Sequence, residues 1–556
     1  MIFYHPLSHP NTDVMGLIEI DLLFLVDGFI LCSNQISNER DKMAKKLLLL
    51  FLLVSMGFSA QVFGAGGSKS TLLYAAYADI KDWDPSIAAS MEVLMLQSVY
   101  ETLVYYNPPG SKEILRPGLA TSWNNSKDGL TWTFNLRKGV KFHDGEPFNA
   151  AAVKYSIERT KKIGKGSSWL WPKGMVITAL NDYKVQIKLK NPLPIDLIAS
   201  SQYASYIFSP KAGEKGTDWF MQGNAAGTGP YKVDSWEKSQ QTVLVKNDSY
   251  WGGWSGKHFE RIILKPVLEQ STQIQMIKSG EADFAALIPV DAIPALKKTK
   301  GVEVITPKSW KNSSYLINTQ KFPTNNLKVR QALTYAWDYN AVVDSIYNGL
   351  ATVAQGPIPK TMWGHNPNLP KPEFNLDKAK QLIQESGIPK SKLKLTIAYI
   401  ATSQEYSNSA QLLQANLARI GVTLELKPGP WGTIWKNAKS LDTAPNLQSM
   451  TWWPGYPTPN DWLIGLFKTE KSAVFNLSHY SNSKVDALVE KGVNLEVTDR
   501  KGAIKAYQQA QKLIVEDVPG IFYADILTRI VKRSSVKGYT NNPAYNYQSL
   551  YPLYRE

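Results

Sequence analysis

Helical segments that end at a glycine and lead directly into a strand-like segment recur through the C-terminal half of the chain. Residues 376–386 have helical spacing and end at Gly387, and residues 410–420 have the same spacing and end at Gly421. Glycine accepts the left-handed conformation with which helices commonly end. The repeated helix, glycine, strand order predicts an α/β protein in which helices cover a sheet.

The N-terminal half interleaves strands and helices in the same way. Residues 131–137 and 183–190 alternate as half-buried strands, residues 91–106 have the apolar character of one helix, and Asn149 is placed to cap another. Residues 271 and 272, Ser and Thr, are expected to cap a helix that stops at Gly280. With 556 residues, the chain is long enough for about two to four domains.

A secretory signal peptide is predicted within the chain. Met43 is followed by Ala44 and two lysines, an apolar run at 47–58 and the segment 62–67, which ends in four small residues. This apolar run, about a dozen residues long, is too short to span a bilayer comfortably. We therefore assign residues 43–65 to a signal peptide and expect residues 1–42 to be a non-native upstream extension.

The position of the cysteine restricts the chemistry of the exported protein. Cys32 is the only cysteine in the sequence and precedes the signal peptide. We expect the mature chain to have no disulfide, no thiolate nucleophile and no cysteine-linked lipid anchor. The expected product is a periplasmic protein that is not attached to lipid.

The formal net charge of +15 raises the question of nucleic-acid binding. Most lysines are scattered among acidic residues, and the densest run, at 297–300, is short. This pattern favours a solvated basic surface. We expect no nucleic-acid partner.

Neither a metal centre nor an enzyme is predicted, and we expect no cofactor. The histidines after Met43 are far apart in sequence, although a chelated metal stays open as a ligand. The sequence contains neither a Gly-x-Ser-x-Gly elbow nor a phosphate-binding loop. An exported hydrolase that uses two carboxylates stays a remote alternative, because its acids need no fixed spacing.

Residues 450–467 form the segment with the clearest binding character. They include three tryptophans, one tyrosine, three prolines and one carboxylate, and this composition predicts an irregular segment that is neither a regular helix nor a regular strand. Proline lowers the entropy lost when a loop becomes ordered, so Trp453, Tyr456, Asp461 and Trp462 are candidates to meet a ligand. The alternative is an aromatic turn that closes the edge of a core.

Several segments together resemble one known family. Residues 116–123 read Arg-Pro-Gly-Leu-Ala-Thr-Ser-Trp, and residues 131–145 read Thr-Trp-Thr-Phe-Asn-Leu-Arg-Lys-Gly-Val-Lys-Phe-His-Asp-Gly. Supporting matches follow in the family's order at 227–231, 315–319, 329–333 and 377–382. The chain is similar in these segments to the family 5 extracellular solute-binding proteins of ABC importers, which are peptide, nickel and oligosaccharide receptors.

The resemblance implies a two-lobed α/β periplasmic binding protein of class II and of the large peptide-binding type, with a hinge between the lobes. The implied parts are lobe I at 66–308 with an extra subdomain at about 100–220, lobe II at 309–524, and a C-terminal return to lobe I at 525–556. The two crossings are expected near residues 305–312 and 520–528.

The resemblance also implies a transport role. A small-molecule ligand fills the cleft, stabilises the closed form, and the closed form docks on an ABC permease. We expect a monomer that is not an enzyme.

Dipeptide receptors of the family hold the ligand's ammonium with an Asp and its carboxylate with an Arg. Tyr456 aligns with that Asp, and Gln404 aligns with that Arg. Neither end of an ordinary dipeptide would then meet its usual partner. Asp461 either replaces the missing carboxylate or caps the following helix.

Aromatic residues complete the candidate site. Trp83, Trp310 and Trp431 are expected near the cleft, although 17 tryptophans in one chain cannot all line it. The expected ligand is an oligopeptide held mainly through its backbone. The alternative is an oligosaccharide, whose rings would stack on the tryptophans.

Overall fold

The computed structural model describes residues 70–88, 90–286 and 288–556. The signal peptide predicted at 43–65 and the extension predicted at 1–42 lie outside the described residues.

In chain order the strands are β1 Thr71–Ala76, β2 Val104–Tyr106, β3 Leu115–Pro117, β4 Ala120–Asn125, β5 Thr131–Leu136, β6 Val176–Asn181, β7 Lys184–Lys188, β8 Tyr231–Glu237, β9 Gln241–Lys246, β10 Arg261–Pro266, β11 Phe284–Ala285, β12 Val302–Ile305, β13 Lys308–Ile317, β14 Ala351–Val353, β15 Lys394–Ile400, β16 Thr423–Gly429, β17 Leu447–Trp452, β18 Gly520–Leu527, β19 Ile530–Arg533, β20 Val536–Lys537 and β21 Tyr554–Arg555.

The α-helices are Val93–Val99, Ala150–Ile163, Ile195–Ile198, Pro210–Glu214, Thr217–Met221, Gln270–Ser279, Ile293–Lys297, Leu327–Tyr335, Tyr339–Ala341, Leu376–Glu385, Gln404–Arg419, Trp431–Ala438, Asn460–Phe467, Ser483–Leu495 and Arg500–Asp517. Short 3₁₀ segments and one π-helical segment, Val342–Ile346, lie between them.

A seven-stranded sheet has the order β12-β19-β11-β1-β10-β9-β8. Its central strand β1 runs parallel to β10 and β11, and its buried residues Leu72, Ile262 and Leu264 belong to a large apolar core. Strand β19 comes from the C-terminal segment and pairs antiparallel with β11 and β12. The C-terminal segment therefore completes a sheet that the N-terminal half begins.

A six-stranded sheet has the order β14-β18-β13-β17-β15-β16. Strand β13 carries Tyr315 and Ile317 into one apolar core and Leu316 into a second one. Since successive side chains of a strand point to opposite faces, both faces of this sheet are covered. The predicted sheet covered by helices is confirmed here.

The chain passes between the two sheets twice. Ile305 ends β12 and Lys308 begins β13, whereas Leu527 ends β18 and Ile530 begins β19. Lys308 pairs with Leu527, so the two passages lie side by side. This is the two-lobed α/β fold class that the sequence predicts.

A separate four-stranded sheet, β4-β5-β7-β6, lies between residues 120 and 188. Strands β5 and β7 pair antiparallel through Phe134 and Val185, both fully buried. The alternation seen in the sequence at 131–137 therefore marks a strand with one buried face.

One predicted helix is two elements. Residues 91–106 have uniform apolar character, but the helix ends at Val99 and residues 104–106 form β2. Val104 pairs with Pro117 of β3. Pairing with the next strand overrides a local apolar pattern that does not distinguish a buried helix from a buried strand.

The predicted starts and ends of helices agree with the structure at some positions and differ at others. Asn149 accepts a hydrogen bond from the backbone N–H of Ala152 at 3.0 Å, so the predicted cap is confirmed. The cap predicted at residues 271 and 272 is wrong, because the helix already begins at Gln270 with Glu269 before it. The predicted end at Gly280 is confirmed by its left-handed φ of 85°.

The carboxyl ends of β15, β16 and β17 meet at one edge of the six-stranded sheet, because these strands are parallel. Strand β13 begins at the same edge, where Asn312 pairs with Trp452. We call this edge, with the segments that leave it, the carboxyl edge. In α/β sheets, ligands bind outside the carboxyl ends of the strands.

Arg330 gives a test of the packing that supports this sheet. Its buried guanidinium donates to the backbone oxygens of Thr324, Asn325 and Asp517 over 2.8–3.1 Å. We expect Arg330→Met to lower the free energy of unfolding by about 2–4 kcal/mol, because three buried carbonyls lose their donor.

Denaturant unfolding of the variant measures this effect. The control is Lys328→Met on the same helix, whose exposed ammonium pairs with Glu385 at 2.8 Å; we expect a loss below about 1 kcal/mol there. Equal effects of the two variants would contradict the structural role of Arg330.

Candidate functional site

Residues 453–459, which we call the cleft loop, leave the carboxyl edge between β17 and the helix Asn460–Phe467. The loop contains three prolines at 454, 457 and 459, which stiffen it. Residues on both sides of the loop are in regular structure, so the predicted irregular segment is shorter than residues 450–467.

The buried carboxylate of Asp461 is hydrogen-bonded to the start of the cleft loop. Its Oδ2 accepts hydrogen bonds from Nε1 of Trp452 at 2.9 Å and from the backbone N–H of Gly455 at 3.1 Å. A Cβ at Gly455 would lie 3.2 Å from the other carboxylate oxygen, so this close approach favours glycine. The carboxylate therefore fixes the first turn of the loop.

The second oxygen of Asp461, Oδ1, is buried and has no hydrogen-bond partner among the described residues. Burial raises the pKa of Asp461 to about 7, and the bonds from Gly455 and Trp452 offset only part of this shift. Such a group can accept a hydrogen bond from a cation that enters the cleft.

The alternative role of Asp461 as a helix cap is wrong. Pro459 occupies the cap position of the helix Asn460–Phe467, and no side chain caps it. Asp461 lies in the first turn and its acceptor oxygen points back to the cleft loop. The carboxylate is thus available to the loop and not committed to the helix end.

Tyr456 is buried, with 5% exposure, in the apolar core of the N-terminal part of the chain. Its hydroxyl donates to Oδ1 of Asn460. Ser201, also from the N-terminal part, donates to the carbonyl oxygen of Gly455 at 2.5 Å. The cleft loop therefore contacts both halves of the chain.

Glu496 is hydrogen-bonded to the end of the cleft loop and to the start of the helix that follows it. Its buried carboxylate accepts hydrogen bonds from Oγ1 of Thr458 at 2.5 Å, from Nδ2 of Asn460 at 2.7 Å and from the hydroxyl of Tyr507 at 2.6 Å. Burial raises the pKa of Glu496, and these bonds lower it in part. Three donors that converge on one carboxylate hold the C-terminal half of the loop.

Trp453 is the tryptophan of the loop that water reaches, with 38% of its surface exposed. Its side chain faces the hydroxyl of Tyr203, a buried residue of the N-terminal part. Trp462 is fully buried. The two candidate tryptophans of this segment thus differ, and only Trp453 offers a free aromatic face.

Trp310 and Trp431 lie on other segments of the carboxyl edge. Trp310 is buried in β13 and its ring meets the ring of Tyr106 edge-on at 5.8 Å. Trp431 is half-buried and begins the helix that follows β16. The topology brings both to the same edge as Trp453.

Gln404 is exposed at the first position of the helix Gln404–Arg419, where its amide donates to Asn408 at 2.6 Å. The helix follows β15, so Gln404 also lies on the carboxyl edge. The predicted start of this helix, near residue 410, is too late, because Ser403 caps it.

Trp83 lies apart from this group. It follows β1, is fully buried in the N-terminal core, and its carbonyl oxygen accepts a hydrogen bond from Tyr100 at 3.0 Å. A ligand contact for Trp83 stays a prediction.

Two sets of residues are missing from the sequence-based site. A cavity of about 400 Å³ is lined by Tyr106, Arg116, residues 528 and 530, and the C-terminal segment 539–552. The feature of the sequence that could have indicated this cavity is the group of tyrosines in that segment. The second set, the cations Lys311 and Arg529 beside the passages between the sheets, carries no local sequence signal.

Among residues 70–88, 90–286 and 288–556, no group of three or more His, Cys, Asp or Glu side chains is arranged to hold a metal ion.

Comparison with known proteins identifies the fold. The model of bacterial extracellular solute-binding proteins, family 5 Middle, matches residues 115–473. The chain belongs to this family. The resemblance described from the sequence is confirmed, and the family consists of substrate-binding proteins of transport systems, not of enzymes.

Relatives within the family carry several ligand names. A probable D,D-dipeptide-binding periplasmic protein, DdpA, from Escherichia coli K12 is 29% identical, over 89% of this chain and 96% of its own. The glutathione-binding protein GsiB of Pectobacterium atrosepticum is 30% identical, over 75% of this chain and 81% of its own.

A solved structure agrees with the same assignment. The periplasmic binding protein DppA of Helicobacter pylori, in complex with the peptide STSA, superposes with a TM-score of 0.75 at 26% identity, over 87% of this chain and 98% of its own. Relatives of the chain are periplasmic binding proteins that work with ABC permease components. Within the part of the chain that the structure describes, no helix is long and apolar enough to cross a membrane.

The buried carboxyl of Asp461 predicts a pH-dependent change in stability. Its folded-state pKa of about 7 exceeds the ordinary value, so its contribution is most favourable below about pH 4 and is lost as the pH rises to 7. An Asn side chain keeps one oxygen for Trp452 and Gly455 and carries no charge. We expect Asp461→Asn to raise the melting temperature of the ligand-free protein at pH 8.

Thermal unfolding between pH 4 and pH 8 measures this effect. The gain is expected to shrink as the pH falls, because the wild-type carboxyl then becomes neutral as well. The control Asp344→Asn changes an exposed side chain and is expected to give no such trend. A destabilised Asp461→Asn protein at pH 8 would show that the charged form stabilises the fold.

Proposed function

We propose that this protein is the periplasmic substrate-binding component of an ABC importer and that it captures a short peptide in the cleft between its two sheets. The cleft loop and the Asp461 carboxylate contribute to the ligand site. Closure about the two passages between the sheets retains the ligand, and the closed form delivers it to the permease.

The observation that carries the peptide assignment is the unpartnered Oδ1 of Asp461 in a buried position. A primary ammonium supplies a charge and hydrogen-bond donors, and its binding favours the ionised carboxylate. A neutral sugar hydroxyl donates a hydrogen bond without a charge, so it compensates such a group less. The names of three relatives agree with a peptide, because they refer to a dipeptide, to glutathione and to a bound peptide.

The position of Tyr456 refines the ligand contacts. Tyr456 is buried and its hydroxyl is bonded to Asn460, which supports a role in holding the loop. Asp461 supplies a carboxylate to the same loop. We infer that the ammonium anchor lies on Asp461 and that Trp453 covers the adjoining part of the ligand.

The remaining features belong to the same proposal. The exported chain begins after residue 65, carries no lipid anchor and acts as a monomer. Lobe I is residues 66–308 with a subdomain at about 100–220, lobe II is residues 309–524, and residues 525–556 return to lobe I. The passage from Ile305 to Lys308 lies at the first of these limits, whereas β18 keeps residues 525–527 in the six-stranded sheet and the second passage runs from Leu527 to Ile530.

A ligand panel tests the proposal. D-Ala-D-Ala, glutathione, Ser-Thr-Ser-Ala and tri-alanine are compared with maltotriose and cellobiose by thermal shift and calorimetry of the purified protein. A tight ligand raises the melting temperature by mass action. We expect at least one peptide to bind at a 1:1 ratio and its N-acetylated form to bind at least tenfold more weakly. Shifts with sugars alone would overturn the peptide assignment in favour of an oligosaccharide.

Trp453 provides the matching mutational test. Its exposed side chain contributes little to the core, so we expect Trp453→Ala to weaken peptide binding about tenfold or more with little change in melting temperature. The control is Phe374→Ala, which removes an aromatic ring of similar exposure, 39%, before the helix Leu376–Glu385. Titration calorimetry of both variants compares the affinities. Equal, unchanged affinities would show that Trp453 does not contact the ligand.

A further inference from the structure

Lys311 lies where the chain enters the six-stranded sheet. It pairs with Ile526 of β18, and three residues after Ile526 the chain reaches Arg529 in the second passage. Its side chain is on the same face of β13 as Ser313, whose hydroxyl is 2.7 Å from that of Thr451. Lys311 therefore faces the part of the carboxyl edge where the helix Gln404–Arg419 begins.

No described residue supplies a hydrogen-bond acceptor or an acidic partner for the ammonium of Lys311. The charged group that acts on it most is Arg529, another cation. Burial, with a further contribution from Arg529, lowers the pKa of Lys311 to about 8. Lys311 is thus a half-buried cation beside a like charge.

Arg529 forms an ion pair with Glu405, and Glu405 also accepts a hydrogen bond from Ser403. Its Nη1 donates to Oε1 of Glu405 at 3.0 Å, and the other oxygen of Glu405 accepts from Ser403 at 3.2 Å. Glu405 therefore neutralises one of the two cations. The cluster of Lys311, Arg529 and Glu405 keeps one excess positive charge.

The surroundings add further hydrogen-bond donors. The tyrosine hydroxyls of Tyr347 and Tyr406 lie around Ser313 on this face. The N-terminus of a 16-residue helix, Gln404–Arg419, adds the positive end of its dipole. Gln404, at the same helix end, carries no charge.

Resting on the proposed function, we propose that Lys311 and Arg529 form an anion subsite that binds a carboxylate of the peptide ligand. An incoming carboxylate would give Lys311 the opposite charge it lacks and reduce its repulsion with Arg529. A charge-assisted hydrogen bond in a site with little water is strong and discriminates against a neutral group. The ligand class is then a peptide with a free carboxylate.

The experiment compares acid and amide forms of one ligand. The tightest of the four peptides named above is titrated as the free acid and as the C-terminal amide into wild-type protein and Lys311→Met. For the wild type, we expect amidation to weaken binding at least tenfold. For Lys311→Met, we expect the acid and the amide to bind within about threefold of each other, with amide affinity close to that of the wild type.

The control is Lys308→Met, which removes an exposed lysine from the same strand. It is expected to keep the full preference for the acid. A Lys311→Met protein that also keeps it would overturn the proposal.

A second pair of probes identifies the source of the carboxylate. If the wild type binds both C-terminal forms equally, Ala-Glu-Ala amide and Ala-Gln-Ala amide decide whether an acidic side chain occupies the site. Equal affinity for these two as well would overturn the proposal.

A further arm does not depend on peptide binding. Acetate and succinate are compared with chloride at equal ionic strength in thermal shifts of the wild type and Lys311→Met. We expect the carboxylates to raise the melting temperature of the wild type alone. If no peptide binds but this shift occurs, the peptide assignment fails and the anion subsite stands; if the shift is absent in the wild type and no peptide binds, both fail.

Discussion

The pairing of β13 with β18 is the constraint on which the site depends. In chain order, β13 is the first strand of the six-stranded sheet and β18 is the last, and each connects directly to the other sheet. Lys308 of β13 lies opposite Leu527 of β18. Because the strands are antiparallel, the entrance of one and the exit of the other lie at the same edge. A movement of one sheet relative to the other must bend both passages together, which is the geometry of a two-strand hinge.

Parallel pairing within the same sheet places the segments of the proposed site at that edge. β15, β16 and β17 end at the edge where β13 begins, so the segments that carry Gln404, Trp431 and Trp453 all leave the sheet at the edge that holds the two passages. None of these residues is close to another in sequence. In the proposed mechanism, a ligand at this edge contacts segments close to the two passages, so a small closure changes many contacts at once.

Much of this organisation is readable from the sequence, because helix caps, glycine ends and alternation are local. The confirmed cap at Asn149 and the confirmed end at Gly280 are of this kind. The division of residues 91–106 into a helix and a strand could not be predicted from their composition, because the pairing of β2 with β3 makes residues 104–106 a strand. The family resemblance supplied the two-lobed fold, which no local pattern contains.

The site was readable only in part. The composition of residues 450–467 marks the loop, but it does not distinguish the exposed Trp453 from the fully buried Trp462. Nor does it show that Tyr456 enters the opposite core or that Asp461 turns toward Gly455. Lys311 and Arg529 are more than two hundred positions apart, and only the β13–β18 register brings them together.

The topology of the sheet determines where the uncompensated charges of the cleft lie. The carboxylate of Asp461, one oxygen of which has no hydrogen-bond partner among the described residues, follows β17, and the excess cation lies near the start of the neighbouring strand β13. That arrangement of opposite charges on adjacent strands suits a zwitterion better than a neutral solute, because each end of a zwitterion relieves a different uncompensated group.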